Sequence, residues 1–398
     1  MLDNSFTFAN TPNIIFEIGS FKKLPDIISN YGENTLIVTG GSSLYKSGRF
    51  DKLSEGLKER SVSFSTVKVT EEPSPDLVDE TTDRYREENI SSVLAIGGGS
   101  VMDTGKAISA MLTQEDSVMK YLEVVGEGKV HPGDKVPFIA VPTTSGTGSE
   151  ATKNAVLSNV GEDGFKKSLR HDNFIPDIAL LDPNLTTSCP ADITAASGLD
   201  AVTQLLGSYT STNASPMTDS LALDALKYAG ESLIPAATDQ GDNPKVRAGM
   251  AYASLISGIT LANAGLGIVH GLASAVGGYF DIPHGVVCGT LLAESAKLNI
   301  ELLREIDNYF YLKKYAKAGA ALSGRNSLDI NSPQSIDQYS SLLVEILEDW
   351  TAKLNIPRFG EYGVREDDLD KIIKKGGNKY NPVQLNDAQI KKLLKARL

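Results

Sequence analysis

The sequence predicts an α/β protein in two parts: a doubly wound parallel sheet over residues 1–185 and an all-helical part over residues 186–398. Three observations carry that prediction. Short apolar runs alternate with helical patterns as far as Asp182-Pro183, the rhythm of strands joined by crossover helices. Beyond that point strand signals fade and only helical periodicity remains. Glycine-rich turns close several of the strands, and ligands of such sheets bind at the carboxyl ends of the strands.

Asn13-Ile-Ile-Phe16-Glu-Ile18 alternates apolar and polar positions and predicts a strand or hairpin closed by Gly19-Ser20. A buried strand follows over residues 34–39 and a helix from Phe50 to about Arg60. The next strand covers residues 63–69, and the next helix runs from Asp76 to Glu88. Residues 91–96 and 137–141 give a third and a fourth strand. In the second part, helices are expected over residues 218–227, 245–263, 292–319, 338–354 and 367–375, with a polar loop over residues 323–334.

The chain has 398 residues, enough for a sizeable core and two or three domains. Its net charge of −12, with no basic cluster to offset it, excludes a nucleic-acid surface and argues against anionic membranes. The first residues lack a charged-then-apolar leader pattern and no long apolar run occurs, so the cytoplasm is expected. Cys189 and Cys288 are too few for a disulfide framework, and their spacing matches no metal motif.

Two of the four histidines, His270 and His284, lie in the most apolar, glycine-rich stretch. On one helix they would sit roughly 21 Å apart, so the helix must break between them. Gly277-Gly278 is expected to stop it and Pro283 to restart it. Upstream, Asp200 and Gln204 fall on one face of a helical pattern, four residues apart. Two imidazoles, one carboxylate and an amide oxygen make a ligand set for Fe(II) or Zn(II) with a position open for substrate.

Gly97-Gly98-Gly99-Ser100 follows a strand and opens a helix. There the backbone can approach a pyrophosphate and the first helical N–H groups attract it. Thr143, Thr144 and Thr147 also follow a strand, with hydroxyls for ribose and phosphate. Two such loops on one sheet edge point to a dinucleotide. Gly40, Gly41, Ser42 and Ser43 stand where an NAD-preferring enzyme commonly carries an acidic residue, and Lys46 is close by. NADP is therefore expected, with NAD as the other reading.

Taken together, GGGSxxDxxK, PTTSGTGSE, PDIALLDP, GLDA, NAGLGxxHGLA and PHG resemble the iron-containing (group III) alcohol dehydrogenases, across essentially the whole chain. The resemblance implies a dehydroquinate synthase-like fold, with a Rossmann-like nucleotide domain, a helical metal domain and commonly a homodimer. It implies Asp200, His270 and His284 as ligands of a divalent metal. It also places Asp103, Asn154, and Lys166 or Lys167 beside the nucleotide, with the glycines and threonines above. Three positions depart from the family pattern. Gln204 replaces a histidine ligand, Ser274 replaces a histidine often placed to relay a proton, and Cys288-Gly289 stands where Asn-Ala is usual.

The activity these residues predict is hydride transfer between NAD(P)(H) and a small alcohol or aldehyde, with metal assistance at Asp200, His270 and His284. Ser274, water or a cofactor ribose hydroxyl is expected to relay the proton. The alternatives are a metal-independent reductase resembling the maleylacetate reductases, in which His270, His284 and Ser274 hydrogen-bond the substrate, and a superfamily cyclase or lyase using the nucleotide internally.

Overall fold

The computed structural model describes residues 5–161, 164–325 and 330–398. Its eight strands are β1 (Asn13–Phe16), β2 (Asn34–Thr39), β3 (Ser63–Lys68), β4 (Ser92–Gly97), β5 (Phe138–Pro142), β6 (Asn154–Asn159), β7 (Phe165–Arg170) and β8 (Ile178–Leu181). Six of them form one sheet in the order β1-β8-β5-β4-β2-β3, every pair parallel. The remaining two, β6 and β7, pair antiparallel as a hairpin.

Helices cover both faces of the large sheet, and strand alternation shows why. Leu36 and Val38 of β2, with Val93 and Ala95 of β4, bury against α4 (Pro75–Tyr85) and α5 (Gly99–Met111). Ile37, Leu94 and Ile96 point the other way, toward Leu24 and Ile28 of α1 (Leu24–Ser29) and Leu53 and Leu57 of α3 (Arg49–Glu59). Between β2 and α3 lies the one-turn α2 (Ser43–Lys46). Strands buried on both faces read as continuous apolar runs, so the doubly wound arrangement was visible in the sequence.

The helical part comprises α6 (Ala191–Tyr209), α7 (Pro216–Ala237), α8 (Pro244–Ala264), α9 (Ile268–Tyr279), α10 (His284–Glu305), α11 (Tyr309–Leu322), α12 (Pro333–Lys353), α13 (Leu369–Lys375) and α14 (Asp387–Lys395). One apolar cluster joins α6, α7, α8, α11 and α12 to Ala179 and Leu181 of β8. A second gathers α9, α10, α13 and α14. Burying each Leu or Ile in them contributes about 1.5–3 kcal/mol. Among the described residues, no single helix is long and apolar enough to cross a membrane.

Several expectations need correction. The hairpin β6–β7 was not foreseen; its buried apolar positions, Ala155, Leu157 and Leu169, are outnumbered by polar neighbours. β1 forms no hairpin and pairs in parallel with β8. The expected helix over 292–319 is two, α10 and α11, because Asp307 turns left-handed at φ 51° and Asn308 caps α11 through Tyr311 N–H. Gly277-Gly278 does not stop α9, which continues to Tyr279. It is Gly164, before β7, that permits the close approach there: a Cβ on it would meet Gly278 O at 2.0 Å, whereas one on Gly277 or Gly278 would find its nearest neighbour at 3.3 or 3.4 Å. Pro283 is the N-cap residue of α10 rather than its first helical residue. Of the expected loop, residues 326–329 lie outside the described residues, and α12 already begins at Pro333.

Candidate active site

Three helices deliver the donor groups. Asp200 lies in the middle of α6, fully buried. His270 falls in the first turn of α9 and His284 opens α10. The break at Phe280–Pro283 turns the chain back, and the two imidazole rings come to 5.5 Å between centroids. Asp200 Oδ1 lies 3.2 Å from His270 Nε2 and 3.8 Å from His284 Nε2. Cys288, one turn beyond His284, puts its sulfur 3.5 Å from His270 Nε2 and 3.6 Å from His284 Nε2. The four donor atoms lie within 4.8 Å of one another.

Cys288 was not singled out from the sequence as a donor. The signal was present, since His284 and Cys288 are four residues apart and share one face of a helix.

The electrostatics suit a cation. Burial lowers the His284 pKa to about 4, outweighing the pull of Asp200, so its imidazole is neutral at physiological pH and offers a lone pair. Burial also pushes the Asp200 carboxyl up, but His284 and His270 pull harder the other way and hold it below the usual carboxylate range. The Cys288 thiol is pushed well up, by burial first and then by Asp200. A buried carboxylate facing two imidazoles and a sulfur is a donor set that a divalent ion fits.

Gln204 stands apart from this convergence. Its amide nitrogen donates to Asp200 Oδ2 at 3.1 Å, and its carbonyl oxygen accepts from Ser257 Oγ at 2.9 Å. The oxygen expected to ligate is therefore occupied, and the side chain holds the carboxylate from behind. Ser274 lies one turn beyond His270 on α9, and its hydroxyl donates to the His270 carbonyl at 3.2 Å.

The nucleotide candidates collect at the carboxyl edge of neighbouring strands β5, β4 and β2. Gly97 is in register with Pro142, and Thr143 N–H donates to Gly97 O at 2.8 Å. A Cβ on Gly99 would meet the Thr147 side chain at 2.7 Å, and one on Gly98 would meet Thr144 at 3.3 Å. The glycine turn and the threonine loop therefore touch. Gly98 caps α5 with no side-chain hydrogen bond, which leaves the first N–H groups of Gly99 and Ser100 for an anion. Gly40 packs against Val101 of the same helix, while Gly41, Ser42 and Ser43 are exposed.

Other candidates have structural duties. Asp103 accepts from Ser149 Oγ and from Val156 N–H, tying α5 to the hairpin. Beside it Lys106, fully buried and drawn down to about 8 by burial, reaches four oxygens of Ser149, Thr152 and Asn154. Asn154 gives its backbone oxygen to that lysine. Lys166 pairs with Glu72 at 2.9 Å and touches Gly277 of α9; Lys167 is its neighbour on β7.

The threonine loop joins the two sets of candidates. Gly148 adopts φ 62°, and a Cβ on Gly258 of α8 would meet its oxygen at 2.1 Å. A Cβ on Gly146 would meet Ser197 of α6 at 2.7 Å, three residues before Asp200. One loop thus contacts both the glycine turn and the helix that carries the carboxylate.

Comparison with known proteins agrees along the whole chain. The family profile described as iron-containing alcohol dehydrogenase matches residues 11–183. The profile for the C-terminal part of the Fe-containing alcohol dehydrogenase family matches residues 194–398. Alcohol dehydrogenase 4 of Saccharomyces cerevisiae is 32% identical over 394 residues, covering 96% of each chain. The 1,3-propanediol dehydrogenase of Citrobacter freundii is 31% identical over 391 residues, covering 96% of this chain and 95% of that one. The solved alcohol dehydrogenase from Oenococcus oeni superposes with a TM-score of 0.86 at 28% identity, covering 99% and 100%. With donor helices, sheet edge and both profiles in agreement, the chain belongs to the iron-containing alcohol dehydrogenase family and is an oxidoreductase acting on alcohols.

Proposed function

We propose that this enzyme uses NADP(H), bound across Gly40–Ser43, Gly97–Ser100 and Thr143–Thr147, to interconvert a small alcohol and its aldehyde at Asp200, His270 and His284. Residues 1–185 then serve the nucleotide and residues 186–398 the metal and substrate. The observation that supports this most directly is the convergence of donors from α6, α9 and α10.

When hydride reaches an aldehyde carbon, negative charge collects on its oxygen. A divalent ion held by Asp200, His270 and His284 supplies Lewis-acid stabilisation of that charge. The chain's own residues set up the rest. Gln204 and Ser257 fix the Asp200 carboxylate, leaving Oδ1 toward the imidazoles. Ser274 Oγ donates to the His270 carbonyl; to relay a proton it would turn that hydroxyl to substrate oxygen while accepting a replacement proton from water. The open α5 N-terminus receives pyrophosphate, and the missing acidic residue at Gly40–Ser43 leaves room for a 2′-phosphate.

A homodimer through the β1 edge is part of the same proposal. Ile14 and Phe16 are 37% and 39% exposed on a strand that pairs on one side only, with Phe6 and Ile18 exposed as well.

The test is His284→Ala. Turnover should fall about 100- to 1,000-fold while NADPH affinity, read by fluorescence titration, stays within about twofold. Unchanged turnover would overturn the assignment, and full activity in metal-stripped protein would favour the metal-independent branch.

A further inference from the structure

We propose that the Cys288 thiolate is the fourth protein ligand of the metal, in the place that Gln204 leaves unfilled, and that this sulfur directs the site toward zinc rather than iron. The inference rests on the metal reading of Asp200, His270 and His284 above.

Geometry is its first support. Zinc bonds of about 2.0–2.1 Å to nitrogen or oxygen and about 2.3 Å to sulfur, arranged tetrahedrally, put neighbouring donors about 3.3 Å apart, or about 3.6 Å where one is sulfur. The observed edges are 3.2 and 3.8 Å from Asp200 Oδ1 to the two imidazoles. From Cys288 Sγ they are 3.5 and 3.6 Å. These four edges match those of a tetrahedron about one ion, and the other two lie within 4.8 Å, so binding asks at most for a small inward shift of side chains.

The second support is what surrounds each contender for the fourth position. Gln204 presents its amide nitrogen, which cannot ligate, to Asp200, and Ser257 takes up its oxygen. Cys288 is fully buried and aims its sulfur between the two Nε2 atoms. With no accessible surface it has no route to disulfide exchange, so ligation is the chemistry its position allows. His284 and Cys288 arrive as a pair on one turn of α10, and neither can ligate without bringing the other close.

The third support is donor type. A thiolate is soft and matches borderline-soft zinc better than Fe(II), which is served well by imidazole and carboxylate. Substrate oxygen then enters as a fifth donor, an expansion that zinc accommodates.

The test replaces the metal with cobalt(II). Unmodified protein carrying one cobalt per chain should show an intense near-ultraviolet sulfur-to-cobalt charge-transfer band. Cys288→Ser should bind one cobalt yet lose that band, while Cys189→Ser keeps it. X-ray absorption on the zinc-loaded unmodified protein provides an independent measurement, with one sulfur expected at about 2.3 Å. Zinc over iron preference in competition should drop about tenfold or more in Cys288→Ser. One cobalt per chain without a sulfur band, or a zinc shell of nitrogen and oxygen alone, overturns the thiolate and leaves the three-ligand reading standing. Failure to bind any metal, or metal binding unaffected by His284→Ala, overturns both.

Discussion

Gln204 donates its amide to Oδ2 of Asp200 at 3.1 Å, and Oδ1 of the same carboxylate faces His270 at 3.2 Å. One side chain therefore decides which oxygen is offered to the donor cluster. Groups that orient a ligand in this way are worth about 10- to 100-fold in metal affinity. Gln204→Leu should lower zinc affinity by that range, measured in chelator-buffered titrations, while fold and nucleotide binding persist. An unaltered affinity would show that the amide does not orient the carboxylate.

At the sheet edge, nothing lies within 4 Å of where a Cβ on Gly41 would point, and its backbone is not in the left-handed region. An aspartate fits there without strain and would repel a 2′-phosphate while accepting from a 2′-hydroxyl. Gly41→Asp should raise the KM for NADPH at least about tenfold and leave or improve that for NADH. Steady-state kinetics with both cofactors checks this, and equal effects on the two would remove this turn from the 2′-position.

Glu150 is buried, its Oε1 has no partner among the described residues, and it lines a small cavity with Ser145 and Ser254, whose hydroxyls are also unpaired among them. Burial raises its pKa from 4.5 to about 7. The folded state therefore favours the protonated acid. That contribution is fully present below about pH 4.5 and is lost as pH rises toward 7, at most about 3 kcal/mol. Glu150→Gln should remove the slope: melting temperatures compared between pH 5 and 8 should fall with pH in the parent relative to the variant. Parallel curves would mean that the carboxylate is solvated in the native state.

Phe16 on the edge strand β1 is 39% exposed and shares a strand face with Ile14. Phe16→Glu puts a charge into the surface that two copies would share. Light scattering should then report monomer where the parent reports dimer, with the far-ultraviolet spectrum unchanged. A parent that is monomeric at micromolar concentration would rule out this interface.

The sheet was legible because its central strands are buried on both faces, so that Leu36-Ile-Val38 and Val93-Leu-Ala-Ile96 stand out as apolar runs whatever lies around them. The return of the chain between His270 and His284 was legible too, because a straight helix cannot bring them together, though α9 runs through Gly277-Gly278 to Tyr279 before it breaks. Other features depended on distances that one chain read in order does not contain. The hairpin carries few apolar residues, and its attachment comes from Lys106 reaching oxygens more than forty residues ahead. The amide of Gln204 could be placed on the face of Asp200 by spacing, but which of its atoms turns toward the carboxylate depends on Ser257 from α8. Cys288 has no motif spacing to Cys189; its partner is the histidine one turn before it, and only the fold brings His270 and Asp200 beside that pair.

Where Gly148 meets Gly258, the sheet layer and the helical layer touch main chain against main chain, with no side chain between them to bend or rotate. The spacing at that point can change only if whole backbones travel, so the contact fixes the threonine loop against α8. A single methyl at either position would push the threonine loop and α8 apart, and through Ser257, the neighbour of Gly258, the strain would reach Gln204 and the Asp200 carboxylate.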